Sequence, residues 1–314
     1  MRKNLSLIFF GSSDFSIFVL KEILKKYKPI LVLTLKGKPK GRGLKIEPNQ
    51  VYLFCLKEKL NVIELENWPE FKKNIEKLKP LVGVIAGFSK IIPKEIIDIF
   101  PKGILNIHPS LLPKYRGPNP IREVILNNER ETGVTIFLID ELIDHGPIIK
   151  KEKINLTGKE TFLNLQEKLG KLGGKIFNEI IEPYLNDKLK PLPQDESLAT
   201  YTKKLKKEDG LLNLNEEYEI WERRIRALNP WPGTYIYLPS NLRLKIFRIE
   251  KINEKNLPKD IFKKAVGEFL KIRNDLGLRL KNAFIILKEV QLEGRKKMSG
   301  REFLNGFRKI LNIN

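Results

Sequence analysis

The stretch "GILNIHPSLLPKYRGPNPI", residues 103–121, decides how the first half of the chain is read. It opens with a short apolar run that ends in Asn106, Ile107 and His108, and it then carries prolines at 109, 113, 118 and 120. The chain has only two histidines in 314 residues, and this stretch holds one of them. An apolar run of this length reads as a strand buried on both faces, as in a parallel α/β sheet. The prolines fix φ and bar helix from the chain that follows, so the strand should end against a stiff, non-helical wall.

Working outward, the same texture repeats on both sides. "LSLIFF", "PILVLTL", "LVGVIAG" at 81–87 and "GVTIFLID" at 133–140 are further short apolar runs. Between them, Asp14 to Tyr27 places Phe15, Phe18, Val19, Ile23 and Leu24 on one helical face, with Ser13 or Asp14 as its cap. "PKEIIDIF" reads as a short helix with proline at its start. Residues 159–186 read as one long amphipathic helix. Alternation of strand and helix predicts an α/β domain with a mostly parallel sheet. The texture then changes. "DKLKPLPQDESLATYTKKLKKEDG" is polar, contains proline and has no periodic apolar face. Beyond it come a helix, "EEYEIWERRIRALN", and a series of short strand-like runs from "GTYIYL" to "AFIILKEV", with a final helix at about 299–310. The expected organisation is an α/β domain at 1–186, a linker at 187–207 and a small β-barrel domain at 208–314.

Composition bounds the function. Hydrophobic residues make up 41% of the chain, enough for two cores, and no apolar window is long enough to span a membrane. The N-terminal "MRKNLSLIFFGSSDF" has too short an apolar run for a signal peptide and reads as a first strand. The lone Cys55 excludes an internal disulfide and reads as a core thiol, which fits a cytoplasmic chain. The net charge is +21. Residues 201–314 hold 26 basic against 14 acidic residues, whereas the first 200 hold 33 against 24. A lysine-rich solvated surface explains part of this; a polyanionic partner, nucleic acid first, explains the excess toward the C-terminus.

Several chemistries are disfavoured by what is missing. Gly11-Ser12-Ser13 after the first strand is neither a dinucleotide fingerprint nor a phosphate loop, and there is no GxSxG elbow. Neither a Cys/His cluster nor HExxH is present, so no metal is expected. In parallel sheets ligands bind beyond the carboxyl ends of strands. Asn106 and His108 share one side of their strand at such an end, and Asp140 and Asp144 lie at and just past the end of "GVTIFLID". An amide, an imidazole and a carboxylate brought together suit acyl chemistry: the amide donates to an oxyanion, the imidazole moves a proton, and the carboxylate holds the imidazole or takes the proton. His145, next in sequence, reads as an exposed turn residue.

The chain resembles the methionyl-tRNA formyltransferase family from end to end. "NIHPSLLPKYRG" at 106–117 is similar to the family's Asn-x-His signature, and "ETGVTIFLIDELIDHGPII" at 131–149 to the segment with its aspartate. "KGKPKGRGLKIEP" at 36–48 resembles the basic loop of the tRNA enzymes, and "RIRALNPWPGTY" at 224–235 and "LEGRKKMSGREFLNG" at 292–306 resemble their C-terminal domain. The resemblance implies Asn106, His108 and Asp144 as the catalytic trio. It implies 10-formyltetrahydrofolate as co-substrate, held near "GFSKIIP" and the aspartate loop by Phe88, Ser89, Ile91, Ile92, Ser110, Leu111, Leu112, Pro113 and Asp140. It implies a Rossmann-like formyltransferase domain followed by an OB-like C-terminal barrel, and contact with aminoacylated initiator tRNA through Lys36, Lys38, Lys40, Arg42 and Lys45; a monomer acting without a metal is expected. Pro109, Leu142, His145 and Ser12-Ser13 depart from the family's usual residues. The alternatives are a formyltransferase for an amino sugar nucleotide and an inactive RNA-binding homologue.

Overall fold

The computed structural model describes residues 3–40, 45–253, 255 and 257–311. In chain order the first half carries β1 (Lys3–Asn4), β2 (Leu7–Phe10), α1 (Asp14–Ile23), β3 (Tyr27–Lys28), β4 (Leu31–Thr34), β5 (Lys38–Lys40), β6 (Lys45–Glu47), α2 (Gln50–Lys57), β7 (Val62–Glu64), α3 (Trp68–Glu76), β8 (Val82–Ile85), α4 (Lys94–Ile97), β9 (Ile104–His108), α5 (Pro120–Leu126), β10 (Glu131–Leu138), β11 (Ile148–Asn155) and α6 (Phe162–Leu185). The second half carries α7 (Tyr218–Leu228), β12 (Thr234–Tyr237), β13 (Arg243–Lys251), β14 (Phe269–Ile272), β15 (Asp275–Arg279), β16 (Phe284–Leu292), β17 (Met298–Ser299) and α8 (Gly300–Phe307).

The chain forms two compact units. The first comprises residues 1–121, 130–157 and 163–203; the second comprises 122–129, 158–162 and 204–314. The first unit is built on a seven-stranded sheet in the order β11-β10-β9-β8-β2-β4-β7. Strands β9, β8, β2, β4 and β7 are parallel, and every residue of β2, β4 and β8 is buried, which is why their sequences are continuous apolar runs. Ser13 is the N-cap of helix α1, and its backbone N–H donates to Ser16 Oγ at 3.0 Å. On one side of the sheet Phe10 meets Phe71, Phe88 and Phe100 edge-to-face at about 6 Å. Cys55 is fully buried in α2, and burial pushes its thiol up to about 12, so it is no nucleophile.

One strand runs against the sequence-based expectation. β10 is antiparallel to β9, with Thr135 opposite His108 and Leu138 opposite Leu105. The carboxyl end of β10 therefore lies at the opposite end of β9 from His108. Asp140 and Asp144 do not reach the site as a strand end would; the loop after β10 must carry Asp144 back. Apolar runs report burial, and burial does not distinguish the two directions of a strand.

The second unit is an antiparallel sheet in the order β12-β13-β16-β15-β14, with β17 added to β16. Its core gathers Trp221 and Ile225 from α7, alternate residues of the strands such as Leu244, Ile246, Leu276 and Leu278, and Phe303 and Leu304 from α8. Ser299 and Glu302 close a capping box at the start of α8. Among the described residues no helix is long and apolar enough to cross a membrane.

Candidate active site

Strand β9 places Asn106 and His108 on the same side, two residues apart, and the loop between β10 and β11 delivers a carboxylate to both. Asn106 Nδ2 donates to Asp144 Oδ1 at 3.3 Å. His108 Nδ1 lies 3.6 Å from Asp144 Oδ2. The backbone N–H of Gly117 donates to that same Oδ2 at 2.7 Å. The side chains of His108 and Asp144 are only 6% and 13% exposed, so these contacts are shielded from water. Asp144 takes a φ of +50°, the left-handed region, which turns its side chain back toward β9.

The tautomer of His108 follows from its other contact. Nε2 lies 3.0 Å from the carbonyl of Tyr115. A carbonyl only accepts, so Nε2 carries the hydrogen and a neutral ring keeps its lone pair on Nδ1, facing Asp144. The edge of the ring is set against Phe137, with centroids 6.5 Å apart.

The prolyl chain after His108 is pinned by side chains that hydrophobic patterning does not mark. Thr135 is fully buried; its hydroxyl donates to Ser110 O at 2.7 Å and accepts from Leu112 N at 3.1 Å. Ser110 in turn donates to Lys114 O at 2.7 Å. Residues 194–202, within the segment expected to be a linker, fold back over this chain. Thr200 Oγ1 accepts from Tyr115 N and Thr202 Oγ1 from Asn119 N, at 2.8 and 3.0 Å. Arg116, 1% exposed, bonds to Gln194, Glu196 and Tyr201, and it holds the Glu196 carboxyl below the usual carboxylate range. The only signal for this in the sequence was the density of hydrogen-bonding side chains in a segment with no apolar face.

The residues expected to hold the co-substrate fall into two groups. Ser89, Ile91 and Asp140 lie at the surface or partly so, with Ile91 78% exposed. Asp140 and Leu142 line a cavity of about 390 Å³ with Lys94, Ile97, Ile139 and Glu141. Phe88 and Leu111 are partly buried, whereas Ile92, Ser110, Leu112 and Pro113 are buried. His145 is not a free turn residue: Nδ1 lies 2.5 Å from Asp140 Oδ2 and Nε2 3.5 Å from Glu196 Oε1.

The basic segment is a hairpin, β5 paired antiparallel with β6, with Lys38 opposite Glu47 and Lys40 opposite Lys45. Gly37 serves close approach here, since a Cβ would run into the carbonyl of Glu47. Lys36 pairs with Glu66 at 2.5 Å on the surface. Arg42 lies outside the described residues.

Comparison with known proteins identifies the family. Residues 3–181 match the family model "Formyl transferase", and residues 204–308 match "Formyl transferase, C-terminal domain". The chain is 38% identical over 314 residues to a methionyl-tRNA formyltransferase of Dictyoglomus thermophilum, covering 98% of each chain. It is 33% identical over 309 residues to that of Geobacter sulfurreducens, covering 97% of this chain and 95% of the relative. Among solved structures, the N-formyltransferase of Helicobacter canadensis with folinic acid and dTDP-3-aminofucose superposes with a TM-score of 0.63 at 20% identity, over 90% of this chain and 98% of that one. HypX of Aquifex aeolicus in complex with tetrahydrofolic acid superposes with a TM-score of 0.67 at 16% identity, over 96% of this chain and 47% of that one. At these identities the two structures speak for the fold.

Proposed function

Because the chain belongs to the formyltransferase family, in its methionyl-tRNA branch, we propose that Asn106, His108 and Asp144 perform its chemistry on a charged initiator tRNA. The chain transfers the formyl group of 10-formyltetrahydrofolate to the amine of methionyl-tRNA. One observation carries the residue assignment: an amide and an imidazole from one strand meet the two oxygens of a single shielded carboxylate.

The amine must be neutral to attack the formyl carbon. As the new C–N bond forms, the formyl oxygen gains negative charge and the amine holds one proton too many. Asn106 spends one amide N–H on Asp144 and keeps the other for that oxyanion. His108 cannot offer Nε2–H to the oxyanion while it serves Tyr115. Its free Nδ1 instead suits uptake of the proton, and the imidazolium so formed sits beside Asp144, which stabilises it. The bond from the formyl carbon to N10 then breaks as N10 takes a proton, and His108 is neutral again. Gly117 holds Asp144 Oδ2 in place throughout.

The tRNA reading draws on charge as well. The chain carries +21, and the short β5–β6 hairpin includes Lys38, Lys40 and Lys45 in its sequence. Lys36 is already paired with Glu66 and contributes least. We place the reaction in the cytoplasm, performed by a monomer. The decisive experiment is a formylation assay with charged initiator tRNA, charged elongator tRNA and an amino sugar nucleotide. Preference for the initiator is expected; preference for the sugar nucleotide would overturn the reading.

A further inference from the structure

We propose that Gln194 is a positioning residue for Asp144. Its amide clamps the backbone on both sides of His145, and Arg116 with Glu196 holds that amide in register. The inference rests on the assignment of Asp144 made above. Asp144 has a φ of +50°, in the left-handed region that an L residue adopts at some cost, so its loop gains from contacts that hold it there. Gln194 supplies that hold. Its Nε2 donates to the carbonyl of Asp144 at 2.9 Å and to the carbonyl of Gly146 at 2.8 Å, so both amide hydrogens are used.

The orientation of that amide is dictated by Arg116. A guanidinium has five N–H donors and no acceptor. Nε and Nη2 both donate to Gln194 Oε1, at 3.3 and 2.8 Å. Nη1 donates to Glu196 Oε2 at 2.9 Å and to the Tyr201 hydroxyl at 3.1 Å, and Nη2 to Glu196 Oε1 at 2.6 Å. These bonds occupy every donor of a side chain that is almost fully buried. Gln194 therefore has to turn its oxygen toward Arg116 and its nitrogen toward the two carbonyls. Arg116 is itself stitched to the same segment, its N–H to Thr200 O at 2.8 Å and its carbonyl to Thr202 N at 2.7 Å. The next residue is Gly117, which holds Asp144 Oδ2. One cluster thus fixes both the backbone of Asp144 and the donor to its carboxylate.

The test exploits shape. Gln194→Glu keeps the size of the side chain and two oxygens for Arg116, but it has no N–H for the two carbonyls. Gln194→Met removes the donors without adding charge. For both, kcat should fall roughly 10–100-fold, the scale of a small misplacement of a reacting group. KM for folate and for tRNA should stay within about twofold, since substrate contacts are not removed. In an Asp144→Asn background the Gln194 substitutions should cost nothing further, because residues acting as one unit are not additive. If Asp144→Asn lowers kcat and the Gln194 variants do not, this inference is wrong and the site assignment stands. If Asp144→Asn retains wild-type kcat, the site assignment itself fails. A Gln194 effect that persists undiminished without Asp144, or two Gln194 variants that both fail to fold, would make Gln194 a structural residue and overturn the proposal.

Discussion

Gly117 donates its backbone N–H to Oδ2 of Asp144 at 2.7 Å, so the chain that follows strand β9 and the loop that follows strand β10 meet at one oxygen atom. Gly117 has a φ of +100°, and a Cβ there would lie 3.0 Å from both the carbonyl and the hydroxyl of Thr202. Gly117→Ala should therefore destabilise the protein by about 1–3 kcal/mol and turn the N–H off Asp144. Thermal unfolding and kcat measured together will show it. Lowered stability with unchanged kcat would mean that Asp144 does not need this donor.

Asn106→Ala removes the amide that donates to Asp144 and that, in the proposed mechanism, serves the oxyanion. Single-turnover formyl transfer should slow by roughly 10²–10³, the usual loss of one oxyanion donor. Asp144→Asn should be slower still, since in the proposed mechanism that charge stabilises a protonated His108. Folate affinity, read by calorimetric titration, should survive both.

Where the chain is cut will matter by a few residues. A fragment ending at Lys203 retains Gln194, Glu196, Thr200 and Thr202, all of which bond to the 115–119 segment or the Asp144 loop. A fragment ending at Asn186 lacks them and leaves Arg116 without its partners. The longer fragment should bind folate like the whole chain, and the shorter one should bind more weakly or unfold. Equal binding by both would show that residues 187–203 are a passive connection.

The second unit should show an acid-sensitive contact. Bonds from Asn282 and Lys251 pull the Glu219 carboxyl down to about 2. A depressed folded-state value contributes stability above the unfolded carboxylate range, near pH 4.5, which is lost as pH falls through about 2. Glu219 is half exposed, so the effect is screened and modest. Glu219→Gln should lower the unfolding midpoint at pH 7 and flatten its fall between those two values. An unaltered pH profile would remove Glu219 from the account.

The basic hairpin should act by charge, with one exception. Lys40→Ala and Lys45→Ala should weaken all tRNAs alike and reduce the salt dependence of binding, as loss of phosphate contacts does. Lys36→Ala should do less, because Lys36 already pairs with Glu66. Arg42→Ala should instead reduce discrimination between initiator and elongator tRNA by ~1–3 kcal/mol, the scale of a bidentate contact. Catalytic efficiency on both charged tRNAs decides it: an unchanged ratio would deny Arg42 any reading role.

Much of this was legible before any coordinates. Continuous apolar runs announced buried strands, because a strand covered on both faces has nowhere to put a polar side chain. The period of two placed Asn106 and His108 on one side of a strand, and the prolines after them announced a rigid wall. The resemblance drew in Asp144 from 36 residues downstream of His108, as well as the basic segment and the C-terminal domain. All of these rest on local periodicity or on short contiguous words.

What the sequence determined by itself, then, was the kind of sheet, the polar residues at the end of β9 and the family to which the chain belongs. Tertiary structure alone decided how they are held. The direction of β10 is set by its hydrogen-bonded neighbour, so the return of Asp144 through a loop left no mark on the apolar pattern. Residues 194–202 have no apolar face and read as a linker, yet they bond to Arg116, Tyr115, Asn119 and the Asp144 loop across about fifty to eighty positions. Hydrophobic burial writes a periodic signal into the chain. Hydrogen bonds between distant polar groups do not, because any of many polar side chains can make them once the fold has brought the partners within 3 Å.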